Sequence, residues 1–329
     1  MVLVITRKDL ERVLTMKENI AILEEAFREH AIGNVKMPIR PTIAIEDVGG
    51  TMAYMPAYVG GKINALGIKV VSIFRDNPTK YNLPLILGTV LLNDPKTGAP
   101  LAIIDGGYLT AMRTGATSGV ATKYMARKDA ETVGVFGAGV QAETQLLAVA
   151  EVREITNVKV FDVIKQSAEK YCAKMQKALS AKVTVANSAK ENVEGSDIIV
   201  TATTSKQPVF QGEWLKSGTH INGIGSHFGA GIKEVDGSAV RRARVVVDSR
   251  EACLKEAGDL IDPIKDGLIS ENHIYAELGE VVAGKKKGRI TDDEITFFKS
   301  VGLALEDVST ALRVFELAKQ HNLGTSVTL

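Results

Sequence analysis

The chain has 329 residues, 45% of them hydrophobic, and a formal net charge of +1 at pH 7. That length predicts about two domains, each with a core of its own, and the interspersed, nearly balanced charges exclude a nucleic-acid or other polyanionic partner. No apolar run reaches membrane-spanning length, and the one basic cluster, Lys285-Lys-Lys-Gly-Arg289, reads as a solvated turn.

Met1-Val-Leu-Val-Ile5 is too short for a signal segment and lacks a basic flank and cleavage site; it reads as an opening strand of a cytoplasmic protein. Thr15-Met-Lys-Glu18 is a capping box, and Ile20, Leu23 and Phe27 follow on one helical face up to Gly33. Residues 40 to 104 are β-rich: the runs Pro41–Ile45, Gly67–Phe74, Pro84–Leu92 and Pro100–Ile104 are separated by Gly, Pro, Asn and Asp turns. This predicts a mostly antiparallel, hairpin-rich region.

From Thr132 onward the pattern alternates. Strands are predicted at Thr132–Phe136, Val158–Asp162, Lys182–Ala186, Asp197–Ala202, His220–Ile224 and Val245–Asp248, with helical stretches between them. The alternation implies a parallel, doubly wound sheet. A final amphipathic helix begins near 302, with Leu305, Val308, Leu312 and Phe315 on one face. The predicted fold class is therefore α/β. A Rossmann domain, residues 116–302, is inserted into an α+β substrate-binding and dimerisation domain made of 1–115 and 303–329.

The most informative stretch is Thr132-Val-Gly-Val-Phe-Gly-Ala-Gly-Val-Gln-Ala142, a strand, a glycine turn and the start of a helix. Gly137 permits the tight turn, Gly139 lets backbone approach a pyrophosphate, and small Ala142 lets helix and strand pack closely. Ala138, Val140 and Gln141 lie in the same turn, where a helix N-terminus offers free N–H groups to phosphate. Asp162 closes the next predicted strand, 25 residues after Gly137. A carboxylate there accepts from the adenosine ribose hydroxyls and repels a 2′-phosphate. NADH is therefore favoured over NADPH, with Lys165 the one residue that blurs the choice. Residues at the ends of later strands, Thr201, Ala202 and Thr203, then Ile224, Gly225 and Ser226, three of them hydroxylated, would line the same crevice.

Three basic residues have apolar or small neighbours: Arg40 in Met37-Pro-Ile-Arg-Pro41, Lys69 in Gly67-Ile-Lys-Val-Val-Ser72, and Arg113 in Ala111-Met-Arg-Thr-Gly115. Cations rarely enter such settings unpaired. Arg suits bidentate carboxylate binding, and a desolvated Lys acquires a lowered pKa useful for proton transfer. Cys172 and Cys253 lack metal-ligand spacing and the five histidines form no metal pattern, so inert thiols and no metal are expected.

Together, Tyr54-Met-Pro56, Gly67-Ile-Lys69, Ala111-Met-Arg-Thr-Gly-Ala-Thr-Ser118, Gly137-Ala-Gly-Val-Gln141, Gly218-Thr-His-Ile-Asn222, Gly279-Glu280 and Phe298-Lys-Ser-Val-Gly-Leu-Ala-Leu-Glu-Asp307 resemble the ornithine cyclodeaminase/μ-crystallin family. They span nearly the whole chain in family order. The resemblance implies a homodimer paired through its N-terminal domains, an NAD(P)-binding Rossmann domain, and a substrate lying between the domains beside the nicotinamide. It implies that Arg40, Lys69 and Arg113 form the substrate-carboxylate and catalytic cluster, with Met55 a substrate contact and Thr114 a cofactor contact.

Departures from the family pattern sort its activities. Cyclodeaminases carry an Asp in a G-x-D-x-P-G-K pattern; here that position is His227, in a loop one residue longer than in the ketimine-reductase branch. They also carry an acid two residues before Met-Pro, where this chain has Ala53. Both acids suited to a second, cationic amine are missing, and the archaeal alanine dehydrogenase also keeps the Asp. Glu251-Ala-Cys-Leu-Lys-Glu-Ala-Gly-Asp259, Ala276-Glu-Leu-Gly-Glu280 and Phe298-Lys-Ser300 are similar to the ketimine-reductase and μ-crystallin branch.

The expectation is NADH-dependent reduction of 1-pyrroline-2-carboxylate to L-proline, with the six-membered homologue as a further substrate. Lys69, or a water it holds, is the first candidate proton donor and His227 the second. The alternatives, in order, are alanine dehydrogenation, ornithine cyclodeamination and non-catalytic, cofactor-dependent binding of a small ligand.

Overall fold

The structure is a computed structural model that describes residues 1–38, 40–225 and 233–328. The chain divides into two compact units, Met1–Arg113 with Leu303–Leu329, and Thr114–Gly302.

The chain opens with β1 (Val2–Ile5), α1 (Arg7–Val13) and α2 (Met16–Ala31). Thr15 caps α2, its hydroxyl accepting from Glu18 N at 3.2 Å, and the predicted face of Ile20, Leu23 and Phe27 is buried. Then come β2 (Val35–Lys36), β3 (Thr42–Ile45), β4 (Gly50–Val59), β5 (Ala65–Phe74), β6 (Ile86–Asn93) and β7 (Pro100–Asp105), joined by antiparallel pairing, while β1 runs parallel to β7.

β4 is a ten-residue central strand that the sequence reading did not predict, because Pro56 argues against one. The pairing shows why Pro56 is tolerated. One side of β4 pairs with β5 throughout. The other side is shared: β3 covers Gly50–Ala53 and β2 covers Tyr58–Val59, so Pro56 falls in the gap between them.

Helix α3 (Gly106–Met125) carries the chain out of the first unit. The second unit then alternates: β8 (Thr132–Phe136), α4 (Val140–Val152), β9 (Asn157–Phe161), α5 (Lys165–Ala178), β10 (Lys182–Val185), α6 (Ala189–Glu194), β11 (Ile198–Thr201) and β12 (His220–Gly223). It continues through α7 (Gly237–Arg242), β13 (Ala243–Val247), α8 (Arg250–Glu256), α9 (Gly258–Lys265), β14 (Ile274–Glu277), α10 (Leu278–Val282) and β15 (Ile295–Lys299). The eight strands form one all-parallel sheet in the order β10-β9-β8-β11-β12-β15-β13-β14. Strand order reverses beside β8, which makes the C-terminal ends of β8 and β11 the topological switch point where such sheets bind ligands. The fold is α/β, a doubly wound parallel sheet with a second, mixed-sheet unit.

The chain returns to the first unit through α11 (Ala304–Gln320) and closes with β16 (Thr325–Val327), antiparallel to β1. The buried face of α11 runs through Leu305, Val308, Ala311, Val314, Leu317 and Ala318. Leu312 and Phe315, predicted on that face, are only half-buried. The first two turns of α11 are buried all round, so its sidedness is set by the later turns alone.

No helix among the described residues is long and apolar enough to cross a membrane. Cys172 and Cys253 are free thiols, both buried.

Candidate active site

In the first unit the sequence places a glycine two residues before a lysine on the same face of β5. A Cβ on Gly67 would stand 2.5 Å from Leu91 O and 3.3 Å from Val308 Cγ1, so glycine at this position lets α11 approach β5. That approach sets Asp307 against Lys69. The Lys69 Nζ donates to Asp307 Oδ1 at 2.7 Å, and both side chains are buried. Arg113 joins them: its Nη1 lies 2.5 Å from Glu306 Oε2 and its Nε 3.1 Å from Asp307 Oδ1. Glu306 also holds the helix end, Oε1 accepting from Leu303 N at 3.1 Å. Both acids sit in the first turn of α11, where the helix dipole favours negative charge.

The result is a buried group of two cations on two carboxylates. Burial pushes the Lys69 pKa down, neighbouring Arg113 pushes it further, and Asp307 opposes both, leaving it at about 8. A lysine so placed can carry a proton at neutral pH and release it readily. Asp307 Oδ2 is buried with no hydrogen-bond partner among the described residues. Met55 lies directly opposite Lys69 in the β4–β5 ladder, and Ala53 sits on the same face two residues away; both are buried. Arg40 is half-buried in the segment joining β2 to β3, next to Pro41, whose carbonyl accepts from Tyr54 N at 3.0 Å. Lys69 and Arg113 are therefore brought onto one carboxylate, with Met55 beside them.

In the second unit the glycine turn has the form its sequence requires. Gly137 adopts φ +93°, a conformation that favours glycine, and a Cβ there would stand 2.6 Å from Ala202 O. A Cβ on Gly139 would meet nothing within 4 Å, so the backbone is open to an incoming group. Gly139 caps α4 without a side-chain hydrogen bond, leaving the first amides of a 13-residue helix for an anion. Ala142, in the first turn of this helix, is fully buried.

Asp162 lies one residue past β9, where the sequence reading had put it inside the strand. Its Oδ2 accepts from Ala138 N at 3.0 Å and its Oδ1 from Ile164 N at 2.8 Å, so the carboxylate is fixed beside the turn. Val140 and Ile164, both exposed, stand by the turn and offer apolar surface, and Gln141 Oε1 is buried without a hydrogen-bond partner among the described residues. Thr114 uses its carbonyl to accept from Gln145 Nε2 at 3.0 Å, which ties α3 to α4. These features fit a dinucleotide: an open phosphate cradle, a fixed acid for the ribose and an apolar rim.

The ends of β11 and β12 complete this side of the sheet. Ala202 N donates to Phe136 O at 3.0 Å and Ile224 N to Thr201 O at 3.0 Å. Thr201, Thr203 and Gly225 all bond to the buried carboxylate of Glu234. Ser226 and His227 lie outside the described residues.

Sequence reasoning missed Glu306, Asp307, Glu234, Asp259 and Lys299. The rule that singled out Lys69, a cation interrupting an apolar strand, applies equally to Lys299 in Ile295-Thr-Phe-Phe-Lys299, where burial is complete. For Glu306 and Asp307 the signal is the uncharged run Val308–Leu312 that follows them.

A model of the ornithine cyclodeaminase/mu-crystallin family matches residues 2–322. This chain belongs to that family. It is accordingly an NAD(P)-dependent oxidoreductase of imine and amino groups. A Delta(1)-pyrroline-2-carboxylate reductase from Bacillus thuringiensis subsp. konkukian is 40% identical over 99% of each chain. An alanine dehydrogenase from Archaeoglobus fulgidus is 39% identical over 99% of this chain and 98% of its own. The solved structure of Thermococcus litoralis Delta(1)-pyrroline-2-carboxylate reductase with NADH and L-proline superposes with a TM-score of 0.95 at 49% identity, covering 99% of this chain and 100% of the other. An archaeal alanine dehydrogenase dimer with bound NAD gives 0.93 at 36% identity over 100% and 99%.

Proposed function

We propose that this enzyme reduces 1-pyrroline-2-carboxylate to L-proline with NADH, and accepts the six-membered homologue as well. The observation that carries the reading is the buried Lys69–Asp307–Arg113–Glu306 group on a face that also carries Ala53 and Met55. Its two carboxylates are already engaged by two cations, and Ala53 supplies no further acid for a second substrate amine. That supports an imino acid over ornithine.

Arg40, in the segment leading into β3, is the further cation proposed for the substrate carboxylate, beside Lys69 and Arg113. Glu306 and Asp307 hold the Arg113 guanidinium in place, so the substrate carboxylate meets a preoriented partner. NADH bound at the glycine turn supplies the hydride for the imine carbon. Lys69 delivers a proton to the ring nitrogen, directly or through a water, because an iminium carbon accepts hydride far more readily than a neutral imine. His227 is the second candidate for that proton. Incubation with 1-pyrroline-2-carboxylate and NADH should yield L-proline, identified by chiral amino-acid analysis; NADH consumption without proline would contradict the reading.

The same site would serve alanine dehydrogenation, with a linear imine formed from pyruvate and ammonia. The similarity to the Archaeoglobus enzyme, 39% against 40% for the Bacillus reductase, supports keeping this as the second reading.

NADH is the proposed cofactor because Asp162, fixed by two backbone amides, would repel a 2′-phosphate. Asp162→Ala should weaken NADH binding by about tenfold or more, since hydrogen bonds to a charged group contribute roughly 1.5–3 kcal/mol. It should also narrow the gap to NADPH, and an unchanged NADH/NADPH ratio of kcat/KM would remove Asp162 from the specificity argument.

A homodimer is proposed through the first unit. Among the described residues β3 pairs only with β4; it is exposed along its length, and Ile43 and Ile45 present an apolar row there at 53% and 41% exposure. Such an edge is a surface to be covered. Ile43→Glu should shift the mass measured by light scattering from dimer to monomer.

A further inference from the structure

We propose that Glu234, backed by Lys299 and Asp259, is a positioning residue for the dinucleotide. One buried carboxylate ties the ends of β11 and β12 together and so fixes the wall of the crevice beside the glycine turn. The inference rests on the NAD(P) site and on nothing about the imine substrate.

Thr201 and Gly223 are the last register partners of the β11–β12 ladder. Two residues beyond each, at Thr203 and Gly225, the strands no longer pair with one another. Instead, Thr203 N donates to Glu234 Oε1 at 2.6 Å and Gly225 N donates to Glu234 Oε2 at 2.6 Å. The hydroxyls add to this, Thr203 Oγ1 to Oε1 at 2.7 Å and Thr201 Oγ1 to Oε2 at 2.8 Å. Equivalent positions on two neighbouring strands thus share one carboxylate. Each of its oxygens takes an amide N–H, a group that can only donate.

The carbonyl of the same residue is held by the opposite charge. Lys299 Nζ donates to Gly225 O at 2.8 Å and pairs with Asp259 Oδ2 at 2.6 Å. Asp259 Oδ1 accepts from Glu234 N at 2.6 Å and Val235 N at 2.8 Å. All three charged side chains are buried. Gly225 is therefore gripped at its N–H by an anion and at its C=O by a cation. The fit leaves no slack, because a Cβ on Gly225 would stand 2.4 Å from Glu234 Cδ.

This clamp bears on the cofactor through direct packing. A Cβ on Gly137 would stand 2.6 Å from Ala202 O and 3.2 Å from Thr203 Cγ2, so the phosphate-binding turn rests on the clamped end of β11. Strand ends at the switch point are where a doubly wound sheet receives its ligand, and amides there could be left to water. Burying three charges is a costly alternative that apolar packing would equal or better for stability alone. What the charges supply is directional: two peptide planes locked at the mouth of the crevice.

The test is NADH binding without substrate, followed by the fluorescence of the bound cofactor and read beside the melting temperature of the unliganded protein. Glu234→Gln keeps the volume but turns an NH2 group toward an amide N–H; it should weaken NADH binding by about tenfold or more. Gly225→Ala keeps the charge and displaces the carboxylate, with the same expected effect. Thr201→Val keeps the shape and removes one donor, and should weaken binding by about threefold. With cofactor deuterated at the transferring position, the isotope effect on kcat should rise in all three, as hydride transfer becomes slower. A lowered melting temperature with wild-type NADH affinity and isotope effect would mean a purely structural role and would overturn the proposal. If Glu234→Gln does not fold, the other two variants decide it. The binding readout needs no imine, so its failure is distinguishable from failure of the reductase reading.

Discussion

Lys69→Ala is expected to lower kcat for imine reduction by about 100-fold or more, the usual worth of a positioned proton donor, while NADH binding stays near the wild-type value. The two effects separate because the lysine belongs to the β5–α11 group and the cofactor features to the glycine turn. The alanine variant also loses a buried cation facing Asp307, and removing one partner of such a pair costs roughly 3–5 kcal/mol. Its melting temperature must therefore be recorded with its rate. Lys69→Arg makes the sharper comparison. It keeps a positive charge on Asp307, but a guanidinium does not give up its proton near neutrality. If Lys69 acts by donating a proton, Lys69→Arg should be folded and nearly as slow as Lys69→Ala. If charge alone matters, Lys69→Arg should recover most of the rate.

Asp307→Asn should move the pH dependence of kcat/KM, which reports the free enzyme's essential groups. In the native protein Lys69 is depressed to about 8, by burial first and by Arg113 next, with Asp307 pulling the other way. A proton donor works while protonated, so kcat/KM should fall as the pH rises through about 8. Without the Asp307 charge the Lys69 pKa drops further, and the same fall should come at lower pH. The variant should also lose about 3 kcal/mol of stability or more, since Lys69 and Arg113 would then face each other with Glu306 as the remaining acid. An unchanged pH profile in a folded Asp307→Asn protein would show that Lys69 is not the group whose titration limits the reaction.

Much of this architecture was legible in the sequence because its signals are local. The strand, the glycine turn and the helix at Thr132–Val152 are contiguous, and each glycine has a separate geometric reason. Lys69 and Arg113 were visible because a cation among apolar neighbours needs a partner. What that rule cannot supply is the partner: Asp307 is 238 residues from Lys69, and only the packing of α11 over Gly67 brings them together. β4 was hidden by Pro56, whose tolerance depends on a gap between two other strands. β14 and β15 were missed because short apolar runs carry no periodicity to tell a buried strand from a helix. Lys299 obeys the same rule as Lys69: it closes an apolar strand and pairs with a buried carboxylate, that of Asp259.

The measurement that tests the central claim most directly is kcat/KM for NADH oxidation with 1-pyrroline-2-carboxylate, set beside that with pyruvate and saturating ammonium. A preference for the cyclic imine by about 100-fold or more, some 2.7 kcal/mol of transition-state discrimination, is the predicted result. Equal rates, or a preference for pyruvate and ammonium, would contradict the pyrroline reductase assignment and make this enzyme an alanine dehydrogenase.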